Sequence, residues 1–204
     1  MPVSLVDDKV WFDEATKLEQ ICKQVSAAQF DGHSVLLLSH FDATLSRLFS
    51  MLRAKEIAHD RFSTLNPSEL CTGVQSKVWM GSARAFQVAS EMTSPTAGRP
   101  LDIVVAEHHP LQSRDKVVID AAARLACDGQ LCFHFSLDDP VMTHFGSDTI
   151  KALYERLGIS KDDCISHHLV TTAIRTAQTK IEDQVGKEVP THSADDWFKY
   201  NLRR

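Results

Sequence analysis

The 204-residue sequence lacks the features that mark several classes of protein. Its five cysteines are odd in number and include no C-x-x-C pair, which favours a reducing compartment over a disulfide framework. It has no run of about 18 apolar residues and no basic-then-apolar N-terminus, so we expect a cytoplasmic chain with neither a membrane span nor export. The net charge of −5 argues weakly against a general nucleic-acid binder, because phosphate contacts need a basic surface.

Motifs that identify several enzyme classes are also absent. No G-x-x-x-x-G-K-[ST] loop is present to cradle the phosphates of a nucleotide, and no G-x-S-x-G turn presents a serine nucleophile. No H-x-x-x-H or H-E-x-x-H spacing places two histidines on one side of a helix. Cys127 ends a predicted helix and Cys132 lies in an apolar strand, where we expect inert thiols. We therefore predict no catalytic residue, no metal and no cofactor.

What the sequence does contain is an alternation of strand-like and helix-like segments. Continuous apolar runs predict strands buried on both faces, with two shorter strands beside them, at residues 34–39, 57–62, 77–81, 101–106 and 130–136. Helical spacing of apolar residues predicts helices at 13–29, 45–52, 83–92, 116–127, 139–145, 147–157 and 166–184. Such an alternation predicts one α/β fold with a parallel sheet of about five or six strands and right-handed crossovers.

Only helices follow the last predicted strand. We therefore divide the chain into an α/β domain at residues 1–145 and a helical extension with a tail at 146–204. The 166–184 helix carries a broad apolar face that needs cover. Leu169, Ala173, Ala177, Lys180 and Ile181 lie along one side of it, with Val170 and Ile174 close by. The tail carries Trp197, Phe198 and Tyr200. We expect it to fold back on its own domain, or a second copy to cover the face in a dimer; a partner-binding motif is the alternative.

Two stretches near the C-terminus resemble a known family. Residues 133–148 read FHFSLDDPVMTHFGSD, and residues 157–183 read LGISKDDCISHHLVTTAIRTAQTKIED. They are similar to FYLSMEDDLMRIFGSD, LG, an IEH turn and a V-x-x-A-I-x-x-A-Q-x-K-V-E helix in SecA, the ATPase motor of bacterial preprotein export. Glu107 and His109 fall on the family's T-E-R-H-E-S-R-R turn. The resemblance implies a RecA-like, helicase C-terminal-like domain, the second of the two that sandwich ATP.

The same alignment indicates that the family's nucleotide chemistry has been lost. The motif Q-L-R-G-R-x-G-R falls on residues 117–124, which read VVIDAAAR. Ile119 and Ala121 replace two arginines, Asp120 and Ala123 replace both glycines, and Arg124 alone remains. The family's T-N-M-A-G-R-G-T-D motif falls on residues 81–89, GSARAFQVA, which lack its glycines and its Thr-Asp pair. Because one such arginine supplies roughly 10³–10⁵ in rate, we predict that the chain does not hydrolyse ATP.

These observations predict a non-catalytic, SecA-like protein-binding module linked to preprotein translocation. Its partner would be a component of export or another SecA-like chain. Glu107, His109 and Arg124 are the candidates for a vestigial nucleotide site. Two alternatives stay open: a subunit that completes an ATPase site in trans through Arg124, and a small-molecule enzyme that uses a strand-end pocket near Glu107 and His109.

Overall fold

The computed structural model describes residues 3–63, 70, 75–86, 99–125, 127–144, 160, 162–166 and 168–202. The strands with described bounds are β1 (Ser4–Leu5), β2 (Lys9–Trp11), β3 (Ser34–Ser39), β4 (Asp60–Arg61), β5 (Val78–Ser82), β6 (Leu101–Val105) and β7 (Gly129–Ser136). The helices with described bounds are α1 (Glu14–Phe30), α2 (Asp42–Ala54), α3 (Gln112–Ala123), α4 (Pro140–Thr143), α5 (His168–Glu182) and α6 (Ala194–Asn201).

The strands form a parallel sheet in the order β1-β7-β6-β3-β5-β4, and β2 pairs with β7 further along that strand. β6 and β7 are parallel neighbours, with Leu101 opposite Gly129 and Val105 opposite Phe133. The predicted α/β class with a parallel sheet is therefore confirmed. The described residues form seven strands, against the five or six predicted. β1 and β2 are two and three residues long, too short for their apolar pattern to reveal them.

Strand β3 separates the two apolar layers of the domain, and all six of its residues are buried. Leu36 and Leu38 face the layer that includes Val118 of α3. Val35 and Leu37 face the layer beneath α1 and α2. Successive side chains of a strand point to opposite faces, so a strand covered on both sides must be apolar throughout. The continuous run SVLLLS is explained by this burial.

Helix α1 has a specific signal at each end. The side chain of Asp13 accepts a hydrogen bond from the backbone N–H of Thr16 at 2.7 Å, which caps the first turn. At the other end Gly32 adopts a φ of +81°, and the backbone N–H of His33 donates to the carbonyl of Ala28 at 2.8 Å. Glycine tolerates this left-handed conformation without a steric penalty, so the chain reverses there and enters β3.

Several predicted helices differ from the structure in extent. Helix α3 starts at Gln112 instead of residue 116, because its polar first turn, including the buried Asp115, hides the start of the apolar stripe. Residues 83–86, predicted as helical, form turns closed by the bond from Phe86 N to Ala83 O, and residues 87–92 lie outside the described part. The helix predicted at 139–145 is observed as the shorter α4, and the strand predicted at 57–62 as the shorter β4. The helix predicted at 147–157 lies outside the described residues.

Helix α5 buries part of the predicted face, namely Ile174, Ala177 and Ile181, and the side chains of Leu169 and Val170 lie outside the described part. Ala173 and Lys180 are exposed. The buried positions described on α5 are Thr171, Ile174, Ala177, Gln178 and Ile181. The spacing still follows one side of a helix, but the stripe includes two polar residues, because Gln178 and Thr171 hydrogen-bond to buried partners on the α/β domain.

The tail folds back on the domain, as predicted. Helix α6 starts after Ser193, whose hydroxyl accepts from the backbone N–H of Asp196, and it buries Trp197 completely. Trp197 and Phe198 join Ile174 and Ile181 of α5 in an apolar cluster that also contains residues after β3 and β7. In the described part of the chain, no helix is long and apolar enough to cross a membrane.

We expect Trp197→Ala to lower the free energy of unfolding by about 3–5 kcal/mol, the usual range for removing a large buried aromatic. Tyr200→Ala is the matched control on the same helix. Tyr200 is 61% exposed, so its loss should change stability by no more than about 0.5 kcal/mol. Urea unfolding of both variants measures the difference. Equal midpoints for the two variants would mean that α6 is not docked in solution.

Candidate functional site

The carboxyl ends of β3, β6 and β7 meet at one edge of the sheet. Ligands of α/β proteins bind outside this edge, so it is the candidate site. His40 follows β3, and Glu107, His108 and His109 follow β6. Asp115 reaches the same region from the first turn of α3.

A buried carboxylate, Asp115, lies at the centre of this edge. It accepts hydrogen bonds from the His108 ring at 2.7 Å and from the His109 backbone N–H at 2.9 Å. Gln178 of α5 donates to it at 2.6 Å, and His40 Nε2 lies 2.8 Å away as an ion-pair contact. Burial alone would raise the pKa of Asp115, but the positive charge and hydrogen bond of His108, and then the neighbouring His40, hold it well below its usual range.

His108 lies between two carboxylates. Its Nδ1 bonds to Asp115, and its Nε2 lies 3.2 Å from Asp8 Oδ2, although the angle there does not meet hydrogen-bond geometry. The ring stacks on Phe133 with 4.5 Å between centroids. Burial opposes the charge, yet the carboxylates of Asp115 and Asp8 outweigh it and raise the pKa of His108 to about 10. The two carboxylates therefore hold a buried imidazolium.

Glu107 points into the protein and connects β6 to the end of β3. Its Oε1 accepts from the Ser39 hydroxyl at 2.5 Å, from the His40 backbone N–H at 2.8 Å and from the Phe41 backbone N–H at 3.0 Å. Three donors on one buried carboxylate oxygen define a structural role, because they fix the turn that follows β3.

His109 faces the C-terminal segment. Its Nδ1 accepts from the Leu111 backbone N–H at 3.0 Å, and its Nε2 lies 3.2 Å from Glu188 Oε1. Burial lowers the pKa of His109, and the bond to Glu188 opposes that shift only in part. The bond from His109 is the main cause that lowers the pKa of Glu188 to about 2, with Arg114 and the Trp197 indole N–H adding to it. Trp197 packs edge-on against the His109 ring at 5.6 Å.

Arg124 is not brought together with Glu107 and His109. It is exposed at the C-cap of α3, whereas the other two residues lie beyond the opposite end of that helix. Twelve helical residues span about 18 Å. Between these ends, Ile119 is partly buried against the core and Ala121 is buried. These are the two positions at which the sequence resemblance implies arginines in the family.

Two cavities adjoin the site. One of about 90 Å³ is lined by Glu107, His108 and Asp139 with residues 193–195 of the C-terminal segment. The other, of about 510 Å³, lies between α3, α5 and the β1–β7 edge and is lined in part by Asp8 and Ile119. Among the described residues no group of three histidine, cysteine, aspartate or glutamate side chains is placed to hold a metal ion.

Other polar residues that follow or lie within β7 are also bound internally. Lys17 donates to both oxygens of Asp139, at 2.7 and 3.0 Å, and the backbone N–H of Ser136 donates to the same carboxylate. His134 accepts from the indole N–H of Trp11 at 3.0 Å, and burial lowers its pKa well below the usual range. His134 is therefore a hydrogen-bonded residue of the sheet.

Sequence reasoning missed the residues that organise the edge. His40, Asp8 and Asp115 carry no short motif, and Glu188 lies between the predicted 166–184 helix and the aromatic tail, where the sequence predicts no element. Only Gln178 could have been noticed, because it falls on the glutamine of the A-I-x-x-A-Q pattern in the SecA helix that α5 resembles. Contacts over sequence separations of 63 residues, as between Gln178 and Asp115, leave no local periodicity to detect.

Comparison with curated proteins gives one consistent result, although no family model matches the chain. The chain is 29% identical over 87% of its length to protein translocase subunit SecA of Chlorobaculum tepidum and 30% identical over 88% to that of Chlorobium luteolum. SecA of Campylobacter fetus is 28% identical over 89% of the chain. The chain is homologous to a segment of SecA. It spans 18% of the first two of these relatives and 22% of the third.

Solved structures give more distant likenesses. The Escherichia coli DEAD-box protein SrmB, bound to regulator of ribonuclease activity A, matches 69% of this chain and 80% of its own, with 10% identity and a TM-score of 0.45. Domain 2 of the Mss116p DEAD-box helicase, bound to an RNA duplex, matches 74% of this chain and 60% of its own, with 13% identity and a TM-score of 0.44. At these TM-scores the likeness carries no argument about this chain.

The raised pKa of His108 predicts a specific pH dependence of stability. Below pH 6.5 the ring is protonated in both the folded and the unfolded chain, so its contribution is complete. As the pH rises from 6.5 towards about 10, the unfolded chain loses this proton first and the contribution declines. We expect urea unfolding across this window to show a steeper loss of stability for the wild type than for His108→Gln. His192→Gln, at an exposed ring, should keep the wild-type slope, and parallel profiles for all three proteins would contradict the assignment.

Proposed function

We propose that this chain is a non-catalytic relative of the second nucleotide-binding domain of SecA and acts by binding protein in preprotein translocation. The observation that carries the proposal is the closed strand-end edge. Glu107 and His109 are both buried and bonded internally, and the C-terminal segment packs over them. The translocation link comes from the relatives, whose name is protein translocase subunit SecA.

The space beside Glu107 and His109 argues against a nucleotide bound at these two residues. The larger cavity of about 510 Å³ lies between α3, α5 and the β1–β7 edge and is lined by neither of them. The cavity beside Glu107 has about 90 Å³, whereas pockets for drug-sized ligands have about 300–1,000 Å³. A ligand of nucleotide size would have to displace Trp197 and its neighbours. The same closure argues against the alternative of a small-molecule enzyme at Glu107 and His109.

The residues on α3 support the same conclusion. Ala121 is buried and Ile119 is packed on the core, so neither position presents a cation to a phosphate. Asp120 is bound by Lys116 one turn earlier, at 2.8 Å. A carboxylate near a phosphate is unfavourable, because like charges about 4 Å apart repel by about 4 kcal/mol at an effective dielectric of 20.

One alternative retains a supporting observation. Arg124 is exposed, so its guanidinium could reach a nucleotide held by a neighbouring subunit. Completing an ATPase site in trans would require such a reach. The distance of Arg124 from the carboxyl edge means that the shared site would have to form at the far end of α3.

We also propose that the chain divides into an α/β domain at residues 1–145 and a helical extension at 146–204.

Calorimetric titration with Mg²⁺–ATP tests the catalytic part of the proposal. We expect no binding in the micromolar range and no phosphate release, because the arginines and glycines of residues 117–124 are replaced. Arg124→Ala should behave as the wild type does, both alone and mixed with the SecA motor of the same host. A micromolar dissociation constant would overturn the proposal, and a drop in the motor's ATPase rate specific to Arg124→Ala would favour the in-trans alternative.

Affinity purification from the native host tests the binding part. We expect the tagged full chain to retain components of preprotein translocation, identified by mass spectrometry, and to do so without added nucleotide. The tag on an unrelated protein of similar size and charge is the control. Retention of metabolic enzymes alone, with no translocation component, would count against the proposal.

A further inference from the structure

Residues 188–201, here called the strap, form a compact unit at the end of the described chain. The side chain of Asn201 closes it on itself, because its oxygen accepts from the Val189 N–H at 2.6 Å and its amide donates to the Val189 carbonyl at 2.9 Å. The strap follows residues 183–187, which are exposed except for the half-buried Val185 and include Gly186 with open space around it. The strap is therefore a self-contained segment on an exposed connection.

Phe198 holds the strap against His144 and α5, with 4.4 Å between the Phe198 and His144 ring centroids, and Trp197 and Glu188 hold it to the strand-end edge. Trp197 inserts between His109 and Phe198, with ring centroids 5.6 and 5.4 Å away, and is fully buried. Glu188 contacts His109 Nε2 at 3.2 Å and accepts from Arg114 Nε at 2.9 Å. The described backbone hydrogen bond between the strap and the α/β domain runs from Ala43 N to His192 O at 3.1 Å.

The surface beneath the strap has a definite chemistry. The ring of His109 stacks on Phe41 at 5.5 Å, and with Leu111 these residues form an apolar seat for an indole. Beside this apolar seat, the Arg114 guanidinium and the His109 ring N–H both point to the Glu188 carboxylate of the strap. Once the strap leaves, the surface keeps an aromatic-lined seat next to a guanidinium and an imidazole N–H. Its complement is a segment with a large aromatic and a carboxylate.

We propose that the surface beneath the strap is a docking site for a protein segment that presents a carboxylate and a large aromatic side chain, and that the strap is its intramolecular competitor. This inference rests on the proposed protein-binding function and names the partner chemistry for it. A tethered competitor acts at an effective concentration in the millimolar range for a short flexible linker, so a partner binds well only when the strap is weakened or displaced.

The test uses the full-length chain and a fluorescein-labelled synthetic peptide of residues 188–202, EVPTHSADDWFKYNL, as the probe. Glu188→Gln in the full chain removes the charge that pairs with Arg114 and weakens the strap. Asp183→Asn is the matched control, a carboxylate-to-amide change at an exposed position just before the strap. Fluorescence anisotropy measures peptide affinity for each protein, and hydrogen exchange on the same samples reports opening of the strap.

We expect Glu188→Gln to bind the peptide about tenfold more tightly than the wild type or Asp183→Asn, because apparent affinity scales with the fraction of open, competent molecules. The peptide that carries Trp197→Ala should not bind any of the proteins. Strap amides of Glu188→Gln should exchange faster than those of the wild type, while amides of β3 and β6 stay protected.

Two results would overturn the proposal. One is a failure of the peptide to bind a chain whose strap amides exchange faster than in the wild type. The other is a strap that exchanges no faster than the core in either Glu188→Gln or Trp197→Ala, since a strap that opens only on global unfolding is not displaceable. Neither result depends on nucleotide binding or on translocation components, so this inference and the proposed function fail independently.

Discussion

The buried carboxylate of Asp115 is the constraint on which the arrangement of the strand-end edge depends. A carboxylate removed from water must be surrounded by donors, and here these come from the end of β6 and from α5, while His40 after β3 adds an ion-pair contact. His108 supplies a compensating positive charge. That charge in turn lies beside a second carboxylate, Asp8, in the segment before β2. One buried charge thereby fixes the relative positions of four parts of the chain.

The polar groups at this edge are turned inward. Glu107 is saturated by three donors from the turn after β3, Asp139 is bound by Lys17, and His109 is held between Leu111 and Glu188. In an α/β protein that binds a ligand at its strand ends, such groups would face the ligand. Here they stabilise the turns themselves, and Trp197 completes the closure. This inward orientation is the observation on which we base the proposed protein-binding role.

Homology to SecA is compatible with the residues found on α3, because the fold and the contacts to a nucleotide depend on different residues. The fold needs apolar strands, the stripe of α5 and a few buried polar contacts, and all of these are present. The nucleotide chemistry that the sequence resemblance implies would need cations and glycines on α3, where the chain has Ile119, Asp120 and Ala121. A domain can keep its core after its phosphate contacts are gone, since packing does not require them.

The sequence by itself determined the α/β class and the positions of β3, β6 and β7. These rest on local patterns, namely continuous apolar runs and their alternation with helices. The docking of the tail, which the sequence left open, depended on the tertiary structure, as did the start of α3, the buried polar residues of α5 and the short strands β1 and β2. So did the network of Asp115, His40, His108 and Gln178, because its members are far apart in the chain. A buried polar contact stabilises only when its distant partner is in place, so no local pattern reveals it.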